Sequence, residues 1–99
     1  MKRREVIFSP EAREDLLQLG DWIAERAGVA ITLRYVDRIE SFCAGLAFSS
    51  EHGQRRDDVR LGLRIIGFER RIAVAFTVTP TEVTILRLYY GGRDWDTAP

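Results

Sequence analysis

The stretch Val83–Tyr90, which reads VTILRLYY, sets the expected architecture. It is rich in the β-branched and aromatic residues that favour strands, and apolar side chains occupy both of its alternating faces. A strand that is apolar on both faces is covered on both faces, so we expect it inside a sheet and not at an edge. Gly91 and Gly92 follow and break regular structure, which leaves a polar tail that begins at Arg93.

Two further strands precede this one. Leu61–Ile65 and Ile72–Val78 alternate large apolar residues with smaller or polar ones, and a period of two indicates a strand. Residues 68–71 and 79–82 are expected to turn between successive strands, so the sequence predicts a three-stranded meander. Ser49–Asp58 has almost no apolar content and is expected to be an exposed loop before the meander.

The first part of the chain predicts a strand followed by two helices. Glu5–Phe8 is a short apolar run, after which Ser9, Pro10 and Glu11 supply an N-cap, a proline at the first helical position and an acid facing the helix dipole. Gly28 is expected to end the first helix in a left-handed conformation, and a second helix follows. Apolar residues recur at helical spacing in both segments: Ala12, Leu16, Leu19, Ile23 and Ala27, then Ile31, Tyr35, Ile39, Phe42 and Leu46.

The resulting order is βααβββ, and residues 1–99 are expected to form a single α+β domain. Its two layers are a helical hairpin and an antiparallel-rich sheet on which the hairpin packs. The helix residues Leu16, Leu19, Ile23, Ile39, Phe42 and Leu46 are expected to meet the strand residues Val74, Phe76, Ile85 and Leu86. A two-layer fold of this length leaves one sheet or hairpin edge uncovered, and such edges attract other chains.

Composition points to a compact cytoplasmic protein. The 99 residues are 45% hydrophobic and 30% charged, which provides a core and argues against disorder. The single cysteine, Cys43, cannot form an internal disulfide and is expected to be a small buried hydrophobe. Neither a signal sequence nor a membrane span is expected.

Charge is balanced in total but not along the chain. Residues 11–51 hold four basic and eight acidic side chains (net −4), whereas residues 55–93 hold eight and four (net +4). Arginine accounts for 14 of the 15 basic residues. This bias reflects either a GC-rich genome or the suitability of arginine for carboxylate, phosphate and interface contacts.

Four segments together resemble the ParE branch of the RelE/ParE toxin superfamily: Ser9–Leu16, Gly62–Arg64, Phe76–Val78 and Val83–Asp94. The resemblance spans nearly the whole chain, and the final strand is its strongest part. It implies the toxin of a bacterial type II toxin–antitoxin pair that poisons DNA gyrase. It also implies a hetero-oligomer with a ribbon-helix-helix, ParD-like antitoxin whose tail wraps the toxin. Two positions depart from the family pattern, since Tyr90 stands where histidine is frequent and Thr77 where an arginine often follows the third-strand aromatic.

The competing activity in the superfamily is ribosome-dependent cleavage of messenger RNA by RelE-type enzymes. That reaction needs a positioned base, an acid and cations around the phosphate. The candidate acid–base side chains are His52, Glu69, Tyr89 and Tyr90, and an unperturbed tyrosine ionises only near pH ~10. Lys2 is the only lysine, so the RelE-like lysine cluster is absent. A binding toxin without catalytic residues is therefore favoured over a nuclease, and an inert or antitoxin-binding scaffold is the third interpretation.

Arginines are the main candidates for target contact. Arg64, Arg87 and Arg93 lie on or just after strands that can be neighbours, and a guanidinium binds phosphate through two parallel hydrogen bonds. Arg64 and Arg93 are expected to be accessible to solvent. Arg87 lies in an apolar strand and needs a partner, either the target or antitoxin surface or a helix acid such as Asp15 or Glu14.

Two aromatic residues complete the candidate set. Tyr90 is a further target-binding candidate, and Trp22, off the apolar stripe of its helix, either contacts the antitoxin or packs along the hairpin edge. His52 stands alone, without the spacing of a metal site, so neither a metal nor a cofactor is expected. Arg55–Arg56 is followed at once by Asp57–Asp58, which cancels the local field. Direct sequence-specific binding of nucleic acid is therefore not expected.

Overall fold

The computed structural model describes residues 3–51, 53–69 and 71–90, and within them two helices pack on a five-stranded sheet. The elements are β1 (Glu5–Phe8), α1 (Pro10–Ala27), α2 (Val29–Gly45), β2 (Gln54–Arg55), β3 (Leu63–Phe68), β4 (Ile72–Val78) and β5 (Glu82–Tyr90). The sheet order is β1-β5-β4-β3-β2, with β1 parallel to β5 and the other pairs antiparallel. The predicted α+β architecture is confirmed, and the expected interior strand, β5, lies between β1 and β4.

The expected exposed loop over Ser49–Asp58 is wrong in two respects. Two of its residues pair with β3 as the short strand β2. Ser50 is buried, and its hydroxyl accepts a hydrogen bond of 2.8 Å from Arg4. This segment has almost no apolar residues, yet polar contacts hold it in place. Hydropathy alone does not reveal such contacts.

The junction between β1 and α1 forms as the sequence predicts. The Ser9 hydroxyl accepts the Ala12 N–H at 3.0 Å, and Pro10 occupies the first helical turn. Ser9 also binds the sheet, because its N–H donates to the Ile85 carbonyl at 2.9 Å and its hydroxyl donates to the Leu86 carbonyl at 2.8 Å. One serine therefore caps the helix and anchors it to β5.

Gly28 separates the two helices with a φ of 89°, a region that favours glycine. The buried stripe of α2 then consists of Thr32, Tyr35, Ile39 and Cys43. The prediction that Ile31 belongs to this stripe is wrong, since its side chain is 48% exposed. Thr32 takes the inward position, and its hydroxyl is satisfied by the Gly28 carbonyl at 2.8 Å.

The main core lies between the helices and the sheet, where Phe76, Ile39, Ile85 and Val74 have no exposed surface. Leu86 was expected there and is not, because it follows the inward-facing Ile85 and successive side chains of a strand point to opposite faces. A β-bulge sets Phe76 opposite Ile85 and Ala75 opposite Arg87, so Leu86 is the extra residue on β5. Leu86 packs instead on a second apolar cluster, and Leu88 takes the inward place: the second cluster is built on Leu63, Ile65, Ala75 and Tyr89.

Cys43 is fully buried in the main core, as expected, and burial raises the pKa of its thiol to about 12. The sulfur therefore stays a neutral thiol that packs as a hydrophobe. In the part of the chain that the structure describes, neither helix is long and apolar enough to cross a bilayer.

Candidate functional site

On the side away from β4, the far half of β5 lies against a helix and not against a strand. Strand β1 ends at Phe8, opposite Ile85, so in the described chain residues 86–90 have no strand neighbour on that side. Helix α1 brings Asp15 to this edge, where its carboxylate accepts hydrogen bonds from the Arg87 side chain at 2.8 and 3.0 Å and from the Leu88 N–H at 2.9 Å. Of the alternatives for Arg87, the structure shows the ion pair with the helix acid. The bond to Asp15 raises the pKa of Arg87 above its ordinary value.

Trp22 and Tyr90 form the next contact along the same edge. Their rings meet edge to face, with centroids 4.8 Å apart and planes at 63°. The guanidinium carbon of Arg26 lies 4.0 Å from the centre of the indole ring, and this side chain also donates to the Trp22 carbonyl at 3.1 Å. Trp22 is nevertheless 41% exposed. Trp22, the candidate for antitoxin contact, and Tyr90, a candidate for target contact, therefore form one aromatic pair.

A cavity opens on each side of this pair. The edge cavity, of about 240 Å³, lies between α1 and the end of β5 and is lined by Asp15, Gln18, Leu19, Trp22, Ile72, Leu88, Tyr89 and Tyr90. The arginine pocket, of about 400 Å³, lies beyond the pair and is lined by Trp22, Ile23, Arg26, Ala27, Tyr35, Arg38, Glu69, Arg71 and Tyr90. The two cavities share Trp22 and Tyr90 and therefore lie side by side along α1, and together they are called the groove.

One wall of the arginine pocket is held by an ion pair. Arg38 donates two hydrogen bonds of 2.9 Å to the Glu69 carboxylate, and its guanidinium carbon lies 5.0 Å from the centre of the Tyr35 ring. These bonds lower the pKa of Glu69 below its ordinary value. Glu69 adopts a φ of 51° in the β3–β4 turn, so this ion pair fixes a turn of unusual backbone conformation against α2.

Tyr35 is the other notable group of this pocket. Its side chain is buried, and its hydroxyl has no hydrogen-bond partner among the residues that the structure describes. Burial, followed by the charge of Glu69, raises the pKa of Tyr35. The hydroxyl therefore stays protonated and available as a donor at neutral pH.

The predicted cluster of target-binding arginines is not assembled as expected. Strand β4 separates β3 from β5, so the strands of Arg64 and Arg87 are not neighbours. Arg64 pairs with Phe76 on the helix side of the sheet, whereas Arg87 pairs with Ala75 on the opposite side. Arg93 lies outside the described residues.

The acid–base candidates for RNA cleavage are brought together only in part. Tyr89 packs in the second apolar cluster, while Tyr90 contacts the main core from the other side of the sheet. Glu69 is held by Arg38 in the arginine pocket. His52 lies outside the described residues. Glu69 and Tyr90 both line the arginine pocket, but Glu69 is engaged by Arg38 and Tyr90 packs against Trp22.

Sequence reasoning missed most of this groove. Tyr35 was assigned to the core, and neither Arg26, Arg38 nor Arg71 was singled out. The groove joins residues of α1, α2, the β3–β4 turn and the end of β5, which lie far apart along the chain. The one local signal was a tyrosine in an apolar stripe, because a buried hydroxyl normally has a partner.

Comparison with known proteins places this geometry in a family. The sequence model described as the ParE toxin of the type II toxin–antitoxin system parDE matches residues 6–95. Among solved structures, the fold is similar to a chain of the chromosomal ParDE toxin–antitoxin system from P. aeruginosa, with a TM-score of 0.77. That likeness has 23% identity and covers 89% of this chain and 96% of the other. Among curated proteins, no relative matches at a significant level. The family match covers nearly the whole chain, and the chain therefore belongs to the ParE toxin family of type II toxin–antitoxin systems.

Proposed function

We propose that this protein is a cytoplasmic toxin that inhibits DNA gyrase by binding it, without bond chemistry of its own. The observation that carries the proposal is the family match over residues 6–95. The engagement of the described acid–base candidates supports binding over RNA cleavage: Glu69 is bonded to Arg38, Tyr90 packs on Trp22 and Tyr89 lies in the second apolar cluster, whereas cleavage needs such groups directed at one phosphate. Arg64, Arg93, Arg87 and Tyr90 are the proposed target contacts.

The proposed partner is a cognate antitoxin of the ribbon-helix-helix, ParD-like kind, which forms a hetero-oligomer with the toxin. Trp22 is the proposed contact, because a tryptophan that is 41% exposed beside an apolar groove is a frequent feature of protein interfaces. A neighbouring open reading frame for a small ribbon-helix-helix protein is expected. Co-expression with that frame should yield a stable complex, whereas a harmless monomer that ignores its neighbour would contradict the proposal.

The target is tested in induced cells and with purified toxin. Cells should filament and show DNA damage while bulk messenger RNA stays intact, and the purified toxin should inhibit gyrase supercoiling. Arg64→Ala or Arg93→Ala should weaken inhibition, because each removes a positive charge from the basic half of the chain. His52→Ala is the matched control and should change little. Codon-specific transcript cleavage on ribosomes before any DNA damage would instead identify an RNase of the RelE kind.

A further inference from the structure

The arginine pocket contains an unsatisfied buried donor. Tyr35 is 9% exposed, yet no described residue accepts a hydrogen bond from its hydroxyl. Such a group loses its hydration without compensation, which disfavours the empty pocket. The hydroxyl is enclosed, so the acceptor oxygen of a ligand satisfies it once the side chains around it shift.

The same pocket carries an excess of positive charge. Arg26, Arg38 and Arg71 line it together with one carboxylate, that of Glu69. Glu69 is already engaged by Arg38, and within the described residues no carboxylate pairs with Arg71. A guanidinium and a phenolic hydroxyl in one pocket form a donor set for an anion.

The shape of the groove favours a peptide over a compact anion. The arginine pocket and the edge cavity lie on either side of the Trp22–Tyr90 pair, which lines both, and the lining of the edge cavity includes Leu19 and Leu88. An extended ligand that crosses the pair would place an apolar side chain in the edge cavity and an anion in the arginine pocket. A dianionic phosphate is less suited, because the Glu69 carboxylate lies in the pocket wall.

We infer that the arginine pocket receives the carboxylate of an acidic side chain from a partner peptide, with an apolar neighbour of that side chain in the edge cavity. This inference rests on the proposed function, in which the peptide is a segment of the antitoxin. Arg71 and the Tyr35 hydroxyl bind the carboxylate, and the Trp22–Tyr90 pair separates the two side chains.

The probe is a capped hexapeptide of alternating leucine and glutamate, and its matched control replaces every glutamate with glutamine. Each peptide is added at about 5 mM to ¹⁵N-labelled toxin. This peptide concentration occupies most of a site with a millimolar Kd. The glutamate peptide should shift the NMR signals of the Trp22 indole N–H and the Arg71 Nε–H. The glutamine peptide should bind about tenfold more weakly, because it loses about one hydrogen bond to a charged group.

Two variants of the pocket make the test specific. Arg71→Gln should weaken the glutamate peptide about tenfold, whereas Arg55→Gln, which removes the same charge at the opposite sheet edge, should have no effect. Tyr35→Phe should weaken binding while raising Tm, because it deletes a hydroxyl that the free protein leaves without a partner. A purely structural role for Tyr35 would leave peptide binding unchanged.

Other outcomes overturn the inference. Equal binding of the two peptides would show an apolar groove only, and an absence of shifts would show no peptide site. Shifts at Arg71 with adenosine monophosphate but not with the peptide would show a nucleotide pocket, and shifts that follow toxin concentration alone would show self-association. Gyrase inhibition is measured separately, so the inference can fail while the proposed function stands, and the reverse also holds.

Discussion

Replacing Asp15 with asparagine is expected to lower the free energy of unfolding by about 2 to 3 kcal/mol. The Asp15 side chain is 8% exposed and accepts two hydrogen bonds from Arg87 and one from the Leu88 N–H. Removing one partner of a fully buried ion pair costs about 3 to 5 kcal/mol. Arg87 is 29% exposed and regains part of its hydration, and asparagine keeps an oxygen that can accept from Leu88, so the loss falls below that range.

Thermal and urea denaturation followed by circular dichroism measure this loss. For 99 residues, about 2 to 3 kcal/mol corresponds to a fall in Tm of roughly 10 to 20 °C. Glu14→Gln is the control, since Glu14 is exposed and its side chain accepts a 3.3 Å hydrogen bond from Gln18 of the same helix. A double-mutant cycle with Arg87→Gln should show a strong coupling. The reasoning is refuted if Asp15→Asn has the same Tm and urea midpoint as Glu14→Gln. It is also refuted if the effects of Asp15→Asn and Arg87→Gln on the free energy of unfolding are additive.

Three further outcomes are expected. Tyr35→Phe should raise the free energy of unfolding by about 1 kcal/mol in urea melts, because it removes a buried hydroxyl without a described partner. Ile39→Ala should cost about 2 to 5 kcal/mol, whereas Ile31→Ala should cost only about 0.5 kcal/mol, since Ile39 is fully buried and Ile31 is 48% exposed. The Glu69–Arg38 contact should stabilise the fold at pH values above 4.5, the ordinary glutamate pKa, and this stabilisation should be lost as the pH falls through the lowered pKa of Glu69. In Arg38→Gln, the pKa of Glu69 measured by NMR titration should rise back towards 4.5.

The local features of the fold could be predicted from the sequence because each depends on neighbouring residues. Ser9 and Pro10 begin a helix through a cap and a fixed φ, and Gly28 ends it through a conformation that other residues avoid. The apolar composition of β5 correctly placed it between two strands. Each of these inferences needed only a few consecutive residues and one steric or hydrogen-bonding rule.

Features that depend on register between distant segments could not be predicted. Alternation from Ile85 turns Leu86 away from the helices, but a bulge opposite Ala75 and Phe76 then shifts the pattern, so that Leu88 and not Arg87 faces the main core. Nothing in the sequence of β5 marks that position. The contact at the bulge comes from a distant segment, because Ser9 of the β1–α1 junction donates a hydrogen bond to the Leu86 carbonyl. The arginine pocket could not be predicted for the same reason, because four separate elements have to pack together before its charged side chains meet.

The closed edge of β5 also bears on how a partner can bind. In the described chain the far half of this strand has no strand neighbour on the side away from β4, and such an open edge normally invites another chain to pair with it. Here Ser9 occupies the Leu86 carbonyl and Asp15 occupies the Leu88 N–H. A pairing strand would have to break both bonds and the Arg87 ion pair before it formed its own. Side chains entering the groove beside Trp22 break none of these contacts, so recognition through the groove costs less than extension of the sheet at this edge.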